Sequence, residues 1–260
     1  MNTNCAFGYR NRFKAAALHG SGGWNALPVS NLALDQGAAS LAWRTQASAA
    51  WFTLQDTVQT WQVISLHRTN LTTKATWAIE IRLGDTVVWS LGAQWAQVPC
   101  AVQNGQLVAL IPQGVQGDSL HLWFEDPDNP DGFVSIGLAY AGELWQPVRN
   151  MSWAFTETLS AGTTETTSLS GVEFPETLWR RRDMTVTHQS LDSTDLPSVR
   201  ALVAVCQTGS NVLFLANPIG PDPYGLASCI LFGRAAPSDI AFPYQAADRR
   251  SLTLSLKERL

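Results

Sequence analysis

Along this chain, apolar residues recur at every second position more often than at every third or fourth. In AIEIRLG, Ile79, Ile81 and Leu83 share one face while Glu80 and Arg82 share the other. That is the pattern of a half-buried strand, because successive side chains of an extended chain point to opposite faces. LHLWFED repeats it, with Leu120, Leu122 and Phe124 opposite His121, Trp123 and Glu125. In FVSIGLAYAG the inward set is Val134, Ile136, Leu138 and Tyr140. WQVISLH, TVVWSLG and LVALIP read as further strands, separated by the turn-rich pieces TNLTTKA, QNGQ and PQGVQGD. Short strands at this spacing predict an antiparallel β-sandwich over residues 25–148, preceded by an N-terminal arm, 1–24.

The pattern breaks near GELWQPVRN. A Thr/Ser-rich stretch, TETLSAGTTETTSLSG, opens an extended arm or exposed hairpin near 156–182. RRDMTVTHQSL then reads as a strand with Met184, Val186 and His188 on one face. One helix is predicted near 195–207, capped by Thr194 or Asp195, with Pro197 in its first turn and a stop around Gly209. Leu196, Val199, Leu202, Val203 and Cys206 fall on one stripe of it, so it packs on a sheet. VLFLANP, SCILFGR and SLTLSLKERL complete the unit. The expected fold class is therefore mainly β, with a sandwich followed by a second β domain, residues 149–260, carrying one packing helix.

Composition narrows the function classes. Only 15% of the 260 residues are charged and 45% are hydrophobic, so the surface must rely on Ser, Thr, Gln and Asn, as in β-rich proteins and large assemblies. A net charge of −4 argues against sequence-specific nucleic-acid binding, which calls for a basic stripe. The one basic run, Arg180, Arg181 and Arg182, is flanked by Glu176 and Asp183 and reads as a subunit contact or a solvated face before a phosphate site. Eleven tryptophans point toward binding and assembly, since an indole suits surfaces with one apolar side and one polar edge. The four cysteines are too far apart for a zinc or iron–sulfur framework. The first residues lack the apolar core of a signal peptide and no apolar run reaches membrane length. Synthesis in a reducing cytosol with free thiols is the expectation, and the sequons at Asn70 and Asn150 then carry little weight.

No catalytic constellation emerges, and the expectation is a non-enzyme without a cofactor. None of His19, His67, His121 and His188 forms a metal-binding pair at helical spacing. HGSGGW at 19–24 has the glycines of an esterase oxyanion loop, but no G-x-S-x-G elbow accompanies it. Glu125, Asp126, Asp128, Asp131 and Glu143 supply carboxyls for glycosidase chemistry only on paper, since a cleft is needed to place two of them. DPDNPDG at 126–132 raises calcium. Counted from Asp126, a hand-type loop would need a ligand at Pro130, a glycine at Asp131 and a bidentate Glu at Gly137, so it is not that motif. Turn chemistry explains the same residues: the prolines fix φ, the Asx side chains cap, and Gly132 supplies a positive φ. A sandwich-loop calcium site on Asp126, Asp128 and Asp131 is the lesser alternative.

Several stretches together resemble a known family. They are Trp43-Arg44, Trp51-Phe52, His67 through Leu71, Ala75-Thr76-Trp77, Asp126–Gly132 with Ile136-Gly137, and Gln146-Pro147 with Arg149-Asn150-Met151-Ser152. In order and spacing the chain looks like the minor tail proteins of the distal tail or baseplate of long-tailed bacteriophages, in which a discoidin-like jelly roll is joined to a tail-tube-like β domain. The resemblance implies a structural component of the virion tail tip, made in the host bacterial cytoplasm. It further implies a homo-oligomeric ring, trimeric or hexameric, that continues the tail tube and docks other tail and baseplate proteins, with residues 156–182 and Arg180 to Arg182 as the inter-subunit element. The alternative is a carbohydrate-binding, receptor-recognition module directed at host surface glycans, with Trp43, Trp51, Trp61, Trp77, Trp89, Trp95 and Trp123 as the aromatic supply.

Overall fold

In a computed structural model, residues 3–24, 26–152, 155–219, 222–235, 244–246 and 249–259 are described. The strands, in order, are β1 (Ala6–Gly8), β2 (Ala17–Gly20), β3 (Trp43–Arg44), β4 (Ala49–Thr60), β5 (Val63–Thr69), β6 (Thr76–Leu83), β7 (Thr86–Leu91), β8 (Val98–Pro99) and β9 (Gln106–Leu110). They continue with β10 (Gln116–Glu125), β11 (Ser135–Gly142), β12 (Thr156–Thr167), β13 (Glu173–Leu191), β14 (Val212–Leu215), β15 (Ile230–Ala235), β16 (Tyr244–Ala246) and β17 (Arg249–Glu258). Among the described residues two α-helices interrupt them, α1 (Leu196–Gln207) and α2 (Pro223–Cys229). The chain divides into two compact units, Met1–Gln146 with Leu213–Ile230, and Pro147–Val212 with Leu231–Leu260.

The first unit is a jelly-roll-like sandwich of antiparallel sheets. One sheet runs β2-β4-β10-β6-β7, with β8 on β6, and the other runs β3-β11-β5-β9. Alternation explains the core. Phe52 and Leu54 of β4, Ile79 and Ile81 of β6, and Leu120, Leu122 and Phe124 of β10 point inward and are buried. Phe52 is the hub: Trp43 meets it edge-on at 5.6 Å and 87°, and Phe13 and Phe124 pack at 5.6 and 6.2 Å. These distances and tilts suit the ring quadrupole better than face-to-face stacking. Trp61 is fully buried, and its indole N–H donates to the Gly117 carbonyl at 3.0 Å, which satisfies the polar atom of that side chain.

Three sequence readings that bear on this unit need correction. Residues 1–24 are not a free arm: β2 pairs with β4, from Ala17 opposite Gln55 to Gly20 opposite Phe52, and Phe13 lies in the core. Nor does β11 have one inward and one solvent face. Leu138 and Tyr140 are buried, but so are Ala139 and Ala141, because the first residues of the chain cover the outer side. Gly8 lies against the Tyr140 ring, and the Asn11 side chain donates to the Ala139 carbonyl at 2.8 Å. The strand VLFLANP, expected in the second domain, supplies β14, whose Leu213 to Leu215 pair with β1 in the first unit.

In the second unit β13 pairs with β12 on one side and with β17 on the other, and β17 also pairs with β15 and β16. Met184, Val186 and His188 are buried, in register with Leu256, Leu254 and Leu252. Helix α1 buries Val199, Leu202, Val203 and Cys206 of the expected stripe, while Leu196 at its start is half-buried. Its cap is shared differently from the expectation. Asp192 caps the preceding 3-10 turn by accepting from Thr194 N–H, whereas the Asp195 carboxylate accepts from Val148 N–H at 3.3 Å. Gly209, at φ +75°, ends the helix in a conformation that costs glycine little. Among the described residues no helix is long and apolar enough to cross a membrane.

Candidate recognition and assembly surfaces

The Asp126–Gly132 loop is built as a hydrogen-bonded turn. Asp126 is buried, and its carboxylate accepts from Thr72 N–H at 2.8 Å, Thr72 Oγ1 at 2.7 Å and Asn129 Nδ2 at 3.1 Å. Asp128 instead pairs with Lys74 Nζ at 2.7 Å, and Asp131 accepts from Asn70 Nδ2 at 2.8 Å. The three carboxylates proposed for calcium thus face three different donors. Among the described residues no three His, Cys, Asp or Glu side chains converge as a metal set. Gly132, at φ +70°, closes the turn as its residue type suggested.

The histidines serve structure. His67 is buried between Ser65 Oγ, 2.6 Å from Nε2, and Gln106 Oε1, 3.0 Å from Nδ1. This has the order of a nucleophile, a base and an orienting group, but all three residues are sealed from solvent. His188 contacts the Arg149 carbonyl through Nε2, and its Nδ1 accepts from Ser190 N–H at 3.4 Å. Burial holds its pKa below the usual value, against the opposing pull of the Arg149 carbonyl and Asp195. His19 is exposed on β2. Cys5, Cys100 and Cys206 are buried free thiols and Cys229 is exposed. Burial pushes Cys206 up to about 11 and raises Cys100 as well, which removes both from nucleophilic chemistry near neutrality.

A cavity of about 430 Å³ is lined by residues that include Trp77, Val98, Val108, Leu110, Tyr224 and Leu226. Its carboxylate, on Asp222, is engaged in capping α2 by accepting from Gly225 N–H at 2.6 Å. Apolar walls with no free convergent polar group give it no chemistry to perform.

The most conspicuous surface is the β12–β13 ribbon. Residues 183–191 of β13 lie beside β17, whereas among the described residues 173–181 pair with β12 alone, and β12 is the last strand of its sheet. The ribbon therefore presents two open backbone edges. Its side chains are exposed although several are large and apolar: Leu159 is 80% accessible, Phe174 60% and Leu178 62%. Trp179 lies across Gly162 of the facing strand, and the Arg181 guanidinium sits over its ring at 5.1 Å. The arginine run divides here. Arg182 is held by Glu258 at 3.0 Å, Arg181 pairs with Asp183 at 3.0 Å, and Arg180 is left on the exposed ribbon. Of the three residues assigned to a subunit contact, Arg182 is thus committed inside its own unit.

A second surface lies on the outward face of β4 and β10. Trp51 and Trp123 are direct cross-strand partners, and their neighbours Thr53 and His121 form the next pair. His121 stacks on Trp123 at 5.9 Å and 17°, and its Nδ1 lies 3.1 Å from Thr53 Oγ1. Burial and then the Arg82 charge hold the His121 pKa below its ordinary value, over the contrary effect of Glu80 and Asp118. Beside the indoles is a groove of about 200 Å³ lined also by Gln94, Gln97 and Glu125. The tryptophans were visible in the sequence; their convergence with two glutamines 26 to 46 positions away was not.

No protein-family model and no curated protein sequence matches the chain. Solved structures of similar chain path do exist. The lectin domain of lectinolysin complexed with Lewis B antigen matches at 8% identity and a TM-score of 0.40, over 51% of this chain and 95% of that one. A fucose-binding module of Streptococcus pneumoniae, SpX-3, matches at 11% and 0.40, over 52% and 98%. The family 32 carbohydrate-binding module of Clostridium perfringens NanJ, in complex with galactose, matches at 11% and 0.40, over 50% and 95%. Likeness at this level concerns chain path and transfers no ligand.

Proposed function

We propose that this protein is a self-assembling structural subunit, and that the β12–β13 ribbon is the element by which copies join. The observation that carries the reading is the ribbon's pair of open edges combined with exposed Leu159, Phe174 and Leu178. A two-stranded ribbon is marginal by itself in water, and an unpaired edge is a template for another strand. Pairing the β12 edge of one copy with the β13 edge of the next is a heterologous contact, and such contacts generate rings when the rotation closes. The distal tail or baseplate of a long-tailed phage is the setting suggested by the sequence resemblance, with other tail proteins as neighbours. The test is light scattering on the full chain and on a variant with residues 161–180 replaced by a two-residue turn. The reading expects a discrete ring for the former and a folded monomer for the latter. A full chain that stays monomeric at high concentration overturns it.

A second reading is favoured by the Trp51–Trp123 pair: the sandwich recognises carbohydrate. Paired, partly exposed indoles beside fixed amide and carboxylate groups are what a sugar ring requires, since it offers one apolar face and a polar rim. The two readings are compatible, because the ribbon and the groove belong to different units. A glycan array probed with the full chain tests it, and silence across the array would exclude it.

A further inference from the structure

The geometry points to a specific site for that carbohydrate reading, on which this inference rests: the outward groove of β4 and β10 takes a neutral hexopyranose, stacked on Trp51 and Trp123 and gripped at its rim by Gln94, Gln97 and Glu125. The site lies on a sheet face.

Four observations define it. Trp51 and Trp123 face each other across the strand pair in register, so both indoles leave the same face of the sheet and line one groove. Trp51 is 41% accessible, too exposed to be explained as core. Trp95, in the turn between Gln94 and Gln97, is 87% accessible. The turn that carries it is closed by reciprocal backbone hydrogen bonds between Ala93 and Ala96 at 3.1 and 2.8 Å.

The polar rim is preset. Gln97 accepts from Thr76 Oγ1 at 3.0 Å through Oε1, and its Nε2 is directed to the Gln94 carbonyl at 3.5 Å, so its amide plane is fixed before any ligand arrives. A long, weak bond of that kind is readily exchanged for a hydroxyl acceptor. Glu125 stands at the end of β10 with its carboxylate exposed, an acceptor for sugar hydroxyls. The groove volume of about 200 Å³ accommodates one ring, not an extended oligosaccharide.

Charge sets the class. Among the described residues, Glu125 is the one ionisable side chain lining the groove, and no cation lines it. A carboxylated or sulfated sugar would meet an uncompensated like charge, whereas a neutral ring with an equatorial hydroxyl pattern presents its C–H face to the indoles and its hydroxyls to the rim.

The experiment is a glycan array with the full chain, followed by calorimetric titration of the best neutral monosaccharide against wild type, Trp51→Ala, Trp123→Ala and Glu125→Gln. Both tryptophans lie on the outward face, and circular dichroism verifies each fold. Loss of at least tenfold in affinity for each Trp variant, with a smaller loss for Glu125→Gln, supports the site. Binding retained within twofold in the Trp51→Ala, Trp123→Ala double variant overturns the site while leaving carbohydrate recognition standing elsewhere on the chain. Preference for sialylated or sulfated glycans overturns the ligand class. An array with no signal removes the carbohydrate reading and this inference together.

Discussion

Asp126 and Thr72, fifty-four residues apart in sequence, are joined by two hydrogen bonds, from the Thr72 amide at 2.8 Å and its hydroxyl at 2.7 Å, to one buried carboxylate. With Asn129 Nδ2 as third donor, this ties the loop after β10 to the loop before β6. Asp126→Ala strands the Thr72 N–H in a buried place, and bonds to a charged acceptor are the costly ones to lose. The expected destabilisation is about 3 kcal/mol, read from urea unfolding curves. Because protein donors occupy the carboxylate, adding calcium or a chelator is expected to leave the wild-type melting temperature unchanged. A rise of several degrees with calcium would restore the metal reading.

Gly8 is the residue that lets the N-terminal segment close over β11. A Cβ there would come within 2.5 Å of the Tyr140 ring, which is buried and fixed by its hydroxyl donating to the Glu143 carbonyl at 2.8 Å. Gly8→Ala should cost about 2 kcal/mol through overpacking. Gly22 has open space around it, so Gly22→Ala should change stability by less than about 0.5 kcal/mol. Equal effects at the two positions would show that residues 1–24 are not packed as described.

His188 sets a pH dependence. Its neutral tautomer uses both nitrogens, Nε2 toward the Arg149 carbonyl and Nδ1 as acceptor for Ser190 N–H. Burial lowers its pKa in the fold below the ordinary 6.5, so the unfolded chain takes up the proton first. Stability is then complete above pH 6.5 and is lost as pH falls from there through the folded value. His121, also lowered, acts in the same direction. In thermal melts from pH 8 to 5, His188→Gln should weaken the acid decline of the wild type. An unchanged slope would assign it to other groups.

Thiol accessibility gives a check on packing. Cys229 is exposed and the other three cysteines are buried, with Cys206 at about 11. A chromogenic disulfide reagent at pH 8 should titrate one thiol quickly in the native protein and four in denaturant. Cys229→Ser should abolish the fast phase, and a second fast thiol would contradict the burial of Cys5, Cys100 or Cys206.

Much of the architecture was legible because period-two alternation and helix caps are local. Ile79, Ile81, Leu120, Leu122 and Phe124 turn inward as their spacing dictates, and α1 buries the stripe that its 3.6-residue period places together. Failures came where a distant segment changed a strand's surroundings. Nothing within FVSIGLAYAG announces that Gly8 and Asn11 will cover its second face. Likewise, nothing in RRR distinguishes Arg182, claimed by Glu258, from Arg180, left outside.

The sequence by itself determined most of the sandwich strands (though not β1, β2 or β4), where the long ribbon begins, and that DPDNPDG turns the chain, since prolines, Asx residues and glycine act on their own backbone. Only the tertiary structure decided which side chains meet. It placed Trp51 opposite Trp123 with Gln97 at their side, and it left the outer stretch of β13 paired with β12 alone. Register and sheet order are set by contacts between residues far apart in the chain, and those contacts are what create the groove and the open edges.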